Sequence, residues 1–196
     1  MELEGRYDHR EAEPRLQDLW AALKIYEFNP TADTPVYSVD TPPPTVSGQI
    51  HIGHVFSYAQ ADIAIRYQRM RGKQIFYPFG FDDNGLPTER FTERTRGITA
   101  RDVGREAFIR ECLELSAEVE AKFERFWKRL GLSVDWRLRY STIDDRSRRV
   151  AQGGFLGLYE KGLAARREAP TLWCPECRTA VAQAEVEDKP DVPASF

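Results

Sequence analysis

The chain has 196 residues, enough for one domain with a sizeable core or for one domain and part of a second, and its 41% hydrophobic and 30% charged residues are typical of a globular protein. The charged amino-terminal residues do not resemble a signal peptide, and no stretch approaches the ~18 uninterrupted apolar residues of a membrane-spanning helix. A net charge of −3 provides no basic footprint for nucleic acid. We therefore expect a cytoplasmic protein without a membrane partner.

The first predicted element is an amphipathic helix over residues 11–24, whose apolar side chains recur at helical spacing. Residues 36–39 form the first predicted strand, and three consecutive prolines at 42–44 end it because proline cannot donate to a ladder. Residues 1–35 are therefore predicted to be a helical extension that precedes the main domain.

A predicted strand–turn–helix segment follows, with the sequence TPPPTVSGQIHIGH at residues 41–54. Its histidines, His51 and His54, lie where a helix is predicted to begin. A helix N-terminus offers unpaired N–H groups and a positive dipole end, and imidazoles can add hydrogen-bond donors for phosphate oxygens. The segment therefore predicts an anion site. The helix itself is predicted from Gly53 to Arg71, with Gly72 as its terminating glycine. Its sheet-facing positions are predicted to be Val55, Ala59 and Ile63.

A second strand is predicted over residues 75–79, before a loop over residues 80–85 that carries Asp82 and Asp83. Strand, helix and strand in this order predict two parallel neighbours, and the loops at their carboxyl ends meet at one edge of the sheet. We expect residues 44–51 and 80–85 to lie side by side there. A carboxylate in that position can bind an ammonium group, whereas alone it would be interpreted as a turn residue.

Two further helices are predicted. Thr99 and Asp102 indicate a capping box that opens one long helix through Leu130, with an apolar stripe at three- and four-residue spacing. The stripe comprises Phe108, Cys112, Leu115, Val119, Phe123, Phe126 and Leu130. An extended stretch is predicted from residue 134, and the second helix over residues 144–161 before Gly162.

These motifs resemble those of class I aminoacyl-tRNA synthetases. PPPTVSGQIHIGH resembles their first signature, and GFDDNGLPTER resembles the second motif of the valine, isoleucine and leucine branch, with greatest similarity to valyl-tRNA synthetases. The resemblance implies an α/β fold: residues 36–165 as the first half of a Rossmann-like nucleotide-binding domain with parallel strands, then the start of an inserted domain. Family members are several times longer, so the resemblance implies an N-terminal fragment without the editing domain, the KMSKS loop and the helical tRNA-binding domain.

The resemblance also implies roles for single residues. Asp82 would bind the α-ammonium group of the amino acid, and Pro43 and Pro44 would form part of a small side-chain pocket. Thr45 would join that pocket and is also assigned to the ATP site. His51, Gly53 and His54 would contact ATP phosphates, with the two histidines as the catalytic residues that stabilise the transition state. Two positions depart from many valyl enzymes, which carry Asn in place of Thr45 and His-Ala in place of Asp83-Asn84.

Cys174 and Cys177 form a C-x-x-C pair, a spacing that suits tetrahedral zinc. A complete site needs four ligands, and the sequence has no second pair. Two interpretations stay open: a half-site completed, as in some relatives, by ligands later in a longer chain, or a tight turn that tolerates two cysteines. Residues 166–196 are predicted to be this segment and a linker into the editing domain.

The implied function is ATP-dependent activation of valine and its transfer to tRNA(Val), with Mg²⁺ accompanying ATP and with tRNA bound mainly through the absent domains. This chain alone is expected to be inactive. One alternative is a fragment of an isoleucyl- or leucyl-tRNA synthetase. The other is a catalytically silent, truncated protein that only binds nucleotide or a partner.

Overall fold

The computed structural model describes residues 7–176, 178–183 and 186, and the chain divides into two compact units, Met1–Ala151 and Gln152–Phe196. The first helix of the first unit, α1, spans His9–Ala22 and begins at Asp8, whose carboxylate accepts a hydrogen bond from the Arg10 N–H at 2.9 Å. It packs against the helix α5 (Arg105–Leu130). None of the helices in the described ranges combines the length and the apolarity needed to cross a bilayer.

The predicted strand–helix–strand unit is confirmed. Strand β1 spans Val36–Ser38, helix α2 spans Ile52–Met70, and strand β2 spans Gln74–Phe76. The two strands are parallel neighbours, as expected for a strand–helix–strand crossover. Gly72 follows α2 with a φ of 81°, a left-handed conformation that favours glycine and ends the helix.

The prediction of a single strand over residues 75–79 is wrong. Strand β2 ends at Phe76, and a separate strand, β3, spans Phe79–Phe81. Pro78 lies between them and has no N–H to continue a ladder. Strand β3 instead pairs in parallel with β4 (Arg139–Ser141). Gly80 therefore lies inside a strand rather than in the loop, which begins at residue 82.

The prediction of one long helix through residue 130 is also wrong, because Gly104 divides it into two helices. The capping box is present, with the Thr99 N–H donating to Asp102 Oδ2 at 2.9 Å. It opens only the short helix α4 (Ala100–Val103), since Gly104 has a φ of 82° and α5 begins after it. A further helix that was not predicted, α3 (Leu86–Arg96), lies between β3 and α4.

The buried face of α2 differs from the predicted one. Tyr58, Asp62 and Ile65 are buried, whereas Ile63 is 69% exposed. Burial of Asp62 is favourable because its carboxylate accepts hydrogen bonds from the N–H and the hydroxyl of Ser133. This turns the opposite flank of the helix outward. The apolar side chains exposed on that flank are Ile52, Phe56, Ile63, Tyr67 and Met70.

The core of the first unit lies between the strands, α2 and α5. Trp127 is fully buried, and its ring lies 4.9 Å from that of Tyr58 and 6.1 Å from that of Phe79, measured between centroids. The predicted stripe on α5 is correct in its amino-terminal part but wrong at Phe126 and Leu130, which are exposed. Trp127 is buried instead of these two residues, because its indole fills the space beside the rings of Tyr58 and Phe79.

The remaining elements are short. A 3-10 turn over Trp136–Leu138 interrupts the predicted extended stretch and leads into β4. Helix α6 spans Asp145–Glu160, close to its prediction, and the following Gly162 has a φ of 69°. In the second unit, strands β5 (Trp173–Cys174) and β6 (Thr179–Ala180) form an antiparallel pair.

Candidate active site

The two loops that were predicted to meet are joined by backbone hydrogen bonds. The Asp82 N–H donates to the Pro44 carbonyl at 2.9 Å, and the Val46 N–H donates to the Asp82 carbonyl at 3.0 Å. Thr45 and Asp82 thereby form a parallel bridge. The structure thus brings Pro44, Thr45 and Asp82 into direct contact, at the carboxyl end of β3.

The loop over residues 42–45, the proline loop, is held in place by a side chain of α2. The Tyr58 hydroxyl, on a side chain that is only 7% exposed, donates a hydrogen bond to the Pro42 carbonyl. Burial, followed by the proximity of Tyr77 and Tyr140, raises the pKa of Tyr58 far above its usual value, so the hydroxyl keeps its proton. Within the loop, Pro44 is buried, Pro43 is half-buried and Thr45 is exposed. The loop therefore presents an apolar surface on a rigid backbone.

His51 and His54 cap the amino terminus of α2 reciprocally. His51 Nδ1 accepts a hydrogen bond from the Gly53 N–H at 3.2 Å, and His54 Nδ1 accepts one from the His51 N–H at 3.3 Å. The ring centroids lie 3.9 Å apart. Gly53 makes this possible because a Cβ there would lie 3.0 Å from two atoms of the His51 ring. The predicted group His51, Gly53 and His54 is therefore one compact arrangement.

The capping geometry also determines where the imidazoles can donate. Since each Nδ1 accepts a hydrogen bond, the neutral rings carry their protons on Nε2. Burial, and then the neighbouring charge of His51, lowers the pKa of His54. The pair therefore provides Nε2–H donors beside the positive end of the α2 dipole, which suits phosphate oxygens.

Asp82 is held by one of its two carboxylate oxygens. Oδ1 accepts hydrogen bonds from the Thr142 hydroxyl and from the Asn84 N–H, both at 3.2 Å. No donor in the described part of the chain reaches Oδ2. A half-buried carboxylate with one fixed and one open oxygen can accept a hydrogen bond from an ammonium group.

Sequence reasoning missed the residues behind Asp82. Asp83 is only 5% exposed, and its Oδ2 accepts a hydrogen bond from the Ser141 hydroxyl. The Asp83 N–H donates to the Thr142 hydroxyl at 3.0 Å. Glu120 reaches the same cluster from α5. A strand over Arg139–Ser141 would have been the signal, because its carboxyl end places Ser141 and Thr142 beside the loop after β3.

The predicted metal site is only partly described. Cys174 lies in β5, and the Arg178 N–H donates to the Cys174 carbonyl at 2.8 Å, which closes a tight hairpin. Cys177 lies outside the described residues. In the ranges that the structure describes, no three His, Cys, Asp or Glu side chains come together in a way that could hold a metal ion.

A parallel β1–α2–β2 unit, with imidazole donors at the start of its helix and a carboxylate in the loop after β3, is the arrangement of a Rossmann-like α/β domain. The family of tRNA synthetases class I (I, L, M and V) matches residues 15–192. The chain belongs to this family, which confirms the resemblance seen in its motifs.

Individual relatives share sequence over almost the whole chain. It is 50% identical over 189 residues to a valine--tRNA ligase of Rickettsia akari and 46% identical over 187 residues to that of Wolbachia pipientis wMel. These matches cover 96% and 95% of this chain but 23% and 22% of the relatives. The chain thus spans less than a quarter of the length of the curated relatives it matches.

A solved structure of the family has the same fold. The LeuRS of Agrobacterium radiobacter, in a ternary complex with tRNA and LeuAMS, superimposes with a TM-score of 0.77 at 28% identity. The match covers 93% of this chain and 21% of that protein. The predicted partial Rossmann-like α/β fold is therefore confirmed.

Proposed function

We propose that this chain provides the amino-acid site and the ATP-phosphate site of a valine--tRNA ligase, which activates valine with ATP and transfers it to tRNA(Val). The observation that carries the proposal is the bridge between Thr45 and Asp82, which places an open carboxylate oxygen beside the proline loop. The names of the relatives at 46–50% identity support valine as the amino acid.

Asp82 and the proline loop would bind valine between them. Oδ2 of Asp82 accepts a hydrogen bond from the α-ammonium group, and the rings of Pro43 and Pro44 contact the side chain. A small apolar pocket favours valine over polar amino acids but discriminates weakly against an isosteric one such as threonine. Fixing the ammonium group orients the carboxylate of valine towards the α-phosphate of ATP.

In the reaction proposed, a carboxylate oxygen of valine attacks the α-phosphorus of ATP, and the bond to the bridging oxygen of pyrophosphate breaks. No protein nucleophile is needed because both reacting groups belong to substrates. The Nε2–H groups of His51 and His54 donate to phosphate oxygens and stabilise the charge that develops there. Mg²⁺ would accompany ATP as part of the substrate. In the second step a ribose hydroxyl at the 3′ end of tRNA attacks the activated carbonyl and releases AMP.

The division into an extension over residues 1–35, a catalytic half-domain over 36–165 and a C-x-x-C segment over 166–196 is part of this proposal. So is a zinc half-site at Cys174 and Cys177. The tRNA contacts and the second half of the nucleotide site are assigned to the remaining three quarters of the relatives' length.

Valine binding to the full chain tests the proposal, with isoleucine, leucine and threonine as comparators. We expect saturable binding of valine by calorimetry and at least tenfold weaker binding in Asp82→Asn, because the amide keeps the contacts of Oδ1 but loses the negative charge. Asp33→Asn, at an exposed aspartate, is the matched control. Equal affinity of the wild-type and Asp82→Asn proteins for valine would contradict the assigned site. Valine-dependent ATP–pyrophosphate exchange then measures whether activation occurs.

A further inference from the structure

The most unusual chemistry outside the residues already assigned is a pair of carboxyl groups behind Asp82, one buried and one partly buried. Asp83 is almost fully buried, and its two oxygens differ in their surroundings. Oδ2 accepts a hydrogen bond from Ser141, whereas Oδ1 is buried and no donor from the described part of the chain reaches it. A buried acceptor without a donor is costly, so this oxygen requires a partner that carries a proton.

Glu120 is the group that can carry that proton. Its side chain is only 12% exposed and lies within hydrogen-bonding reach of Asp83. Two neighbouring carboxylates do not both ionise readily. Burial, and then the charge of Asp83, raise the pKa of Glu120 to about 7. Protonated Glu120 is therefore a donor to Asp83 at and below neutral pH.

The surrounding charges do not neutralise the pair. Arg139 on β4 faces Glu120, with Nη2 3.5 Å from its Oε2. The same guanidinium makes a closer contact through Nη1, which lies 2.6 Å from Glu124 on the next turn of α5. Lys128 also pairs with Glu124, at 2.5 Å. Arg139 and Lys128 thus mainly neutralise Glu124. Glu120 and Asp83 are left to share a proton.

One hydroxyl connects this pair to the amino-acid site. The Thr142 hydroxyl accepts a hydrogen bond from the Asp83 N–H and donates one to Asp82 Oδ1. A displacement of Asp83 therefore changes the support of the carboxylate that faces the ligand. Glu120 itself does not contact that carboxylate, so its effect is indirect.

We propose that Glu120 is a positioning residue for Asp82: its proton forms a hydrogen bond with Asp83, and this bond holds the loop that presents Asp82 to the ammonium group of valine. Loss of the proton leaves two facing negative charges, which push the loop out of position. The proposal rests on the proposed binding of valine by Asp82. It deepens that function by adding a pH-dependent support for amino-acid recognition.

The first measurement detects the shared proton without any ligand. Carbon-13 NMR of glutamate side chains in the full chain should show one carboxyl group that titrates near pH 7. That signal should be missing in Glu120→Gln and should titrate at lower pH in Asp83→Asn. Glu118→Gln, an exposed neighbour on α5, should leave it unchanged. If every glutamate titrates below pH 5.5, the shared proton does not exist and the proposal is overturned.

The second measurement detects the positioning role. If only the protonated form binds well, the apparent Kd for valine should rise about tenfold from pH 6 to pH 8, since the competent fraction falls by that factor. The amide of Glu120→Gln retains a donor, so its affinity should stay high and vary less with pH. Glu120→Leu has no donor and should bind valine weakly at both values of pH. Binding by Glu120→Leu that equals binding by Glu120→Gln would overturn the role of the hydrogen bond.

The two proposals fail in different ways. If valine binds to the wild-type protein with the same pH dependence as to Glu120→Gln, the positioning role is overturned and the valine site stands. If valine binds at no pH although a glutamate titrates near 7, the proposed function is overturned for this chain, and the positioning role is overturned with it.

Discussion

His51 and His54 each use Nδ1 to accept a backbone N–H at the amino terminus of α2, from Gly53 and from His51 respectively, with their rings 3.9 Å apart. The same two side chains therefore cap the helix and present their Nε2–H groups outward. The stabilising role and the proposed phosphate-binding role thus belong to different atoms of each ring. Suitable substitutions can separate the two.

The first prediction concerns His51. His51→Ala should lower the free energy of unfolding by about 1 kcal/mol, because the helix loses its N-cap acceptor. His51→Asn should keep that stability, since asparagine is a good N-cap residue, but should bind ATP about tenfold less tightly for want of the Nε2–H donor. Chemical denaturation and calorimetry with ATP measure the two quantities. Full ATP affinity in His51→Asn would show that the ring does not contact the phosphates.

The second prediction concerns the protonation of His54. Its folded-state pKa is lowered, so the unfolded chain binds more protons below about pH 6.5. The stability contributed by neutral His54 should thus be present above that pH and be lost as the pH falls through the folded-state pKa. The thermal midpoint of the wild-type protein should decline between pH 6.5 and 5 by more than that of His54→Asn. Parallel profiles for the two proteins would contradict the prediction.

The third prediction concerns the hydroxyl of Tyr58. Tyr58→Phe removes the donor to the Pro42 carbonyl and should cost roughly 1 kcal/mol of stability and weaken valine binding, because the proline loop loses its support from α2. Tyr67→Phe, at an exposed tyrosine on the same helix, is the control and should change neither. Denaturant melts and valine titrations of the pair give the comparison.

The fourth prediction concerns the contact of Gly80 with Tyr140. A Cβ at position 80 would lie 2.3 Å from the Tyr140 ring, so Gly80→Ala should destabilise the protein by about 1–3 kcal/mol. Gly48→Ala, where no atom lies within 4 Å of the added carbon, should be nearly neutral. Adding Tyr140→Ala should recover much of the loss, since neighbouring substitutions are not additive. A loss that persists in the double variant would point to a cause other than this ring.

The fifth prediction follows from the raised pKa of Glu120. Between its unfolded-state pKa of 4.5 and its folded-state pKa of about 7, the folded chain binds more protons than the unfolded chain. The stability that the protonated group contributes is therefore complete below pH 4.5 and is lost as the pH rises through 7. Glu120→Gln should be more stable than the wild-type protein at pH 8, by roughly 1–3 kcal/mol. Denaturation of both proteins at pH 5 and pH 8 tests the sign.

The sequence predicted the parts of the molecule that local signals determine. Proline at 42–44, the histidines of α2 and Gly72 mark the ends of adjacent elements, so the β1–α2–β2 unit could be derived from neighbouring residues. The loops were predicted to meet, but the one that carries Asp82 follows β3 rather than β2. The assignment of individual ligands to these residues remains a prediction.

Pairing between residues that are distant in the sequence could not be predicted from local signals. Strand β4 pairs with β3 about sixty residues earlier, and Glu120 approaches Asp83 from α5. Two of the wrongly predicted boundaries nevertheless carry local signals. Pro78 indicates the break between β2 and β3, and Pro87 with Gly97 brackets α3. The face of α2 was misassigned because a buried carboxylate, Asp62, outweighed the apolar Ile63.

The exposed apolar flank of α2 affects the behaviour of this chain in solution. Ile52, Phe56 and Met70 on that flank are each more than 60% exposed to water, and β1 is hydrogen-bonded to a strand on one side only in the ranges that the structure describes. An exposed apolar helix face and an unpaired strand edge both favour self-association. Concentrated solutions of this chain should therefore scatter light and bind hydrophobic dyes. Polar replacements of Phe56 and Met70, which lie outside the residues proposed to bind substrates, should improve its solubility.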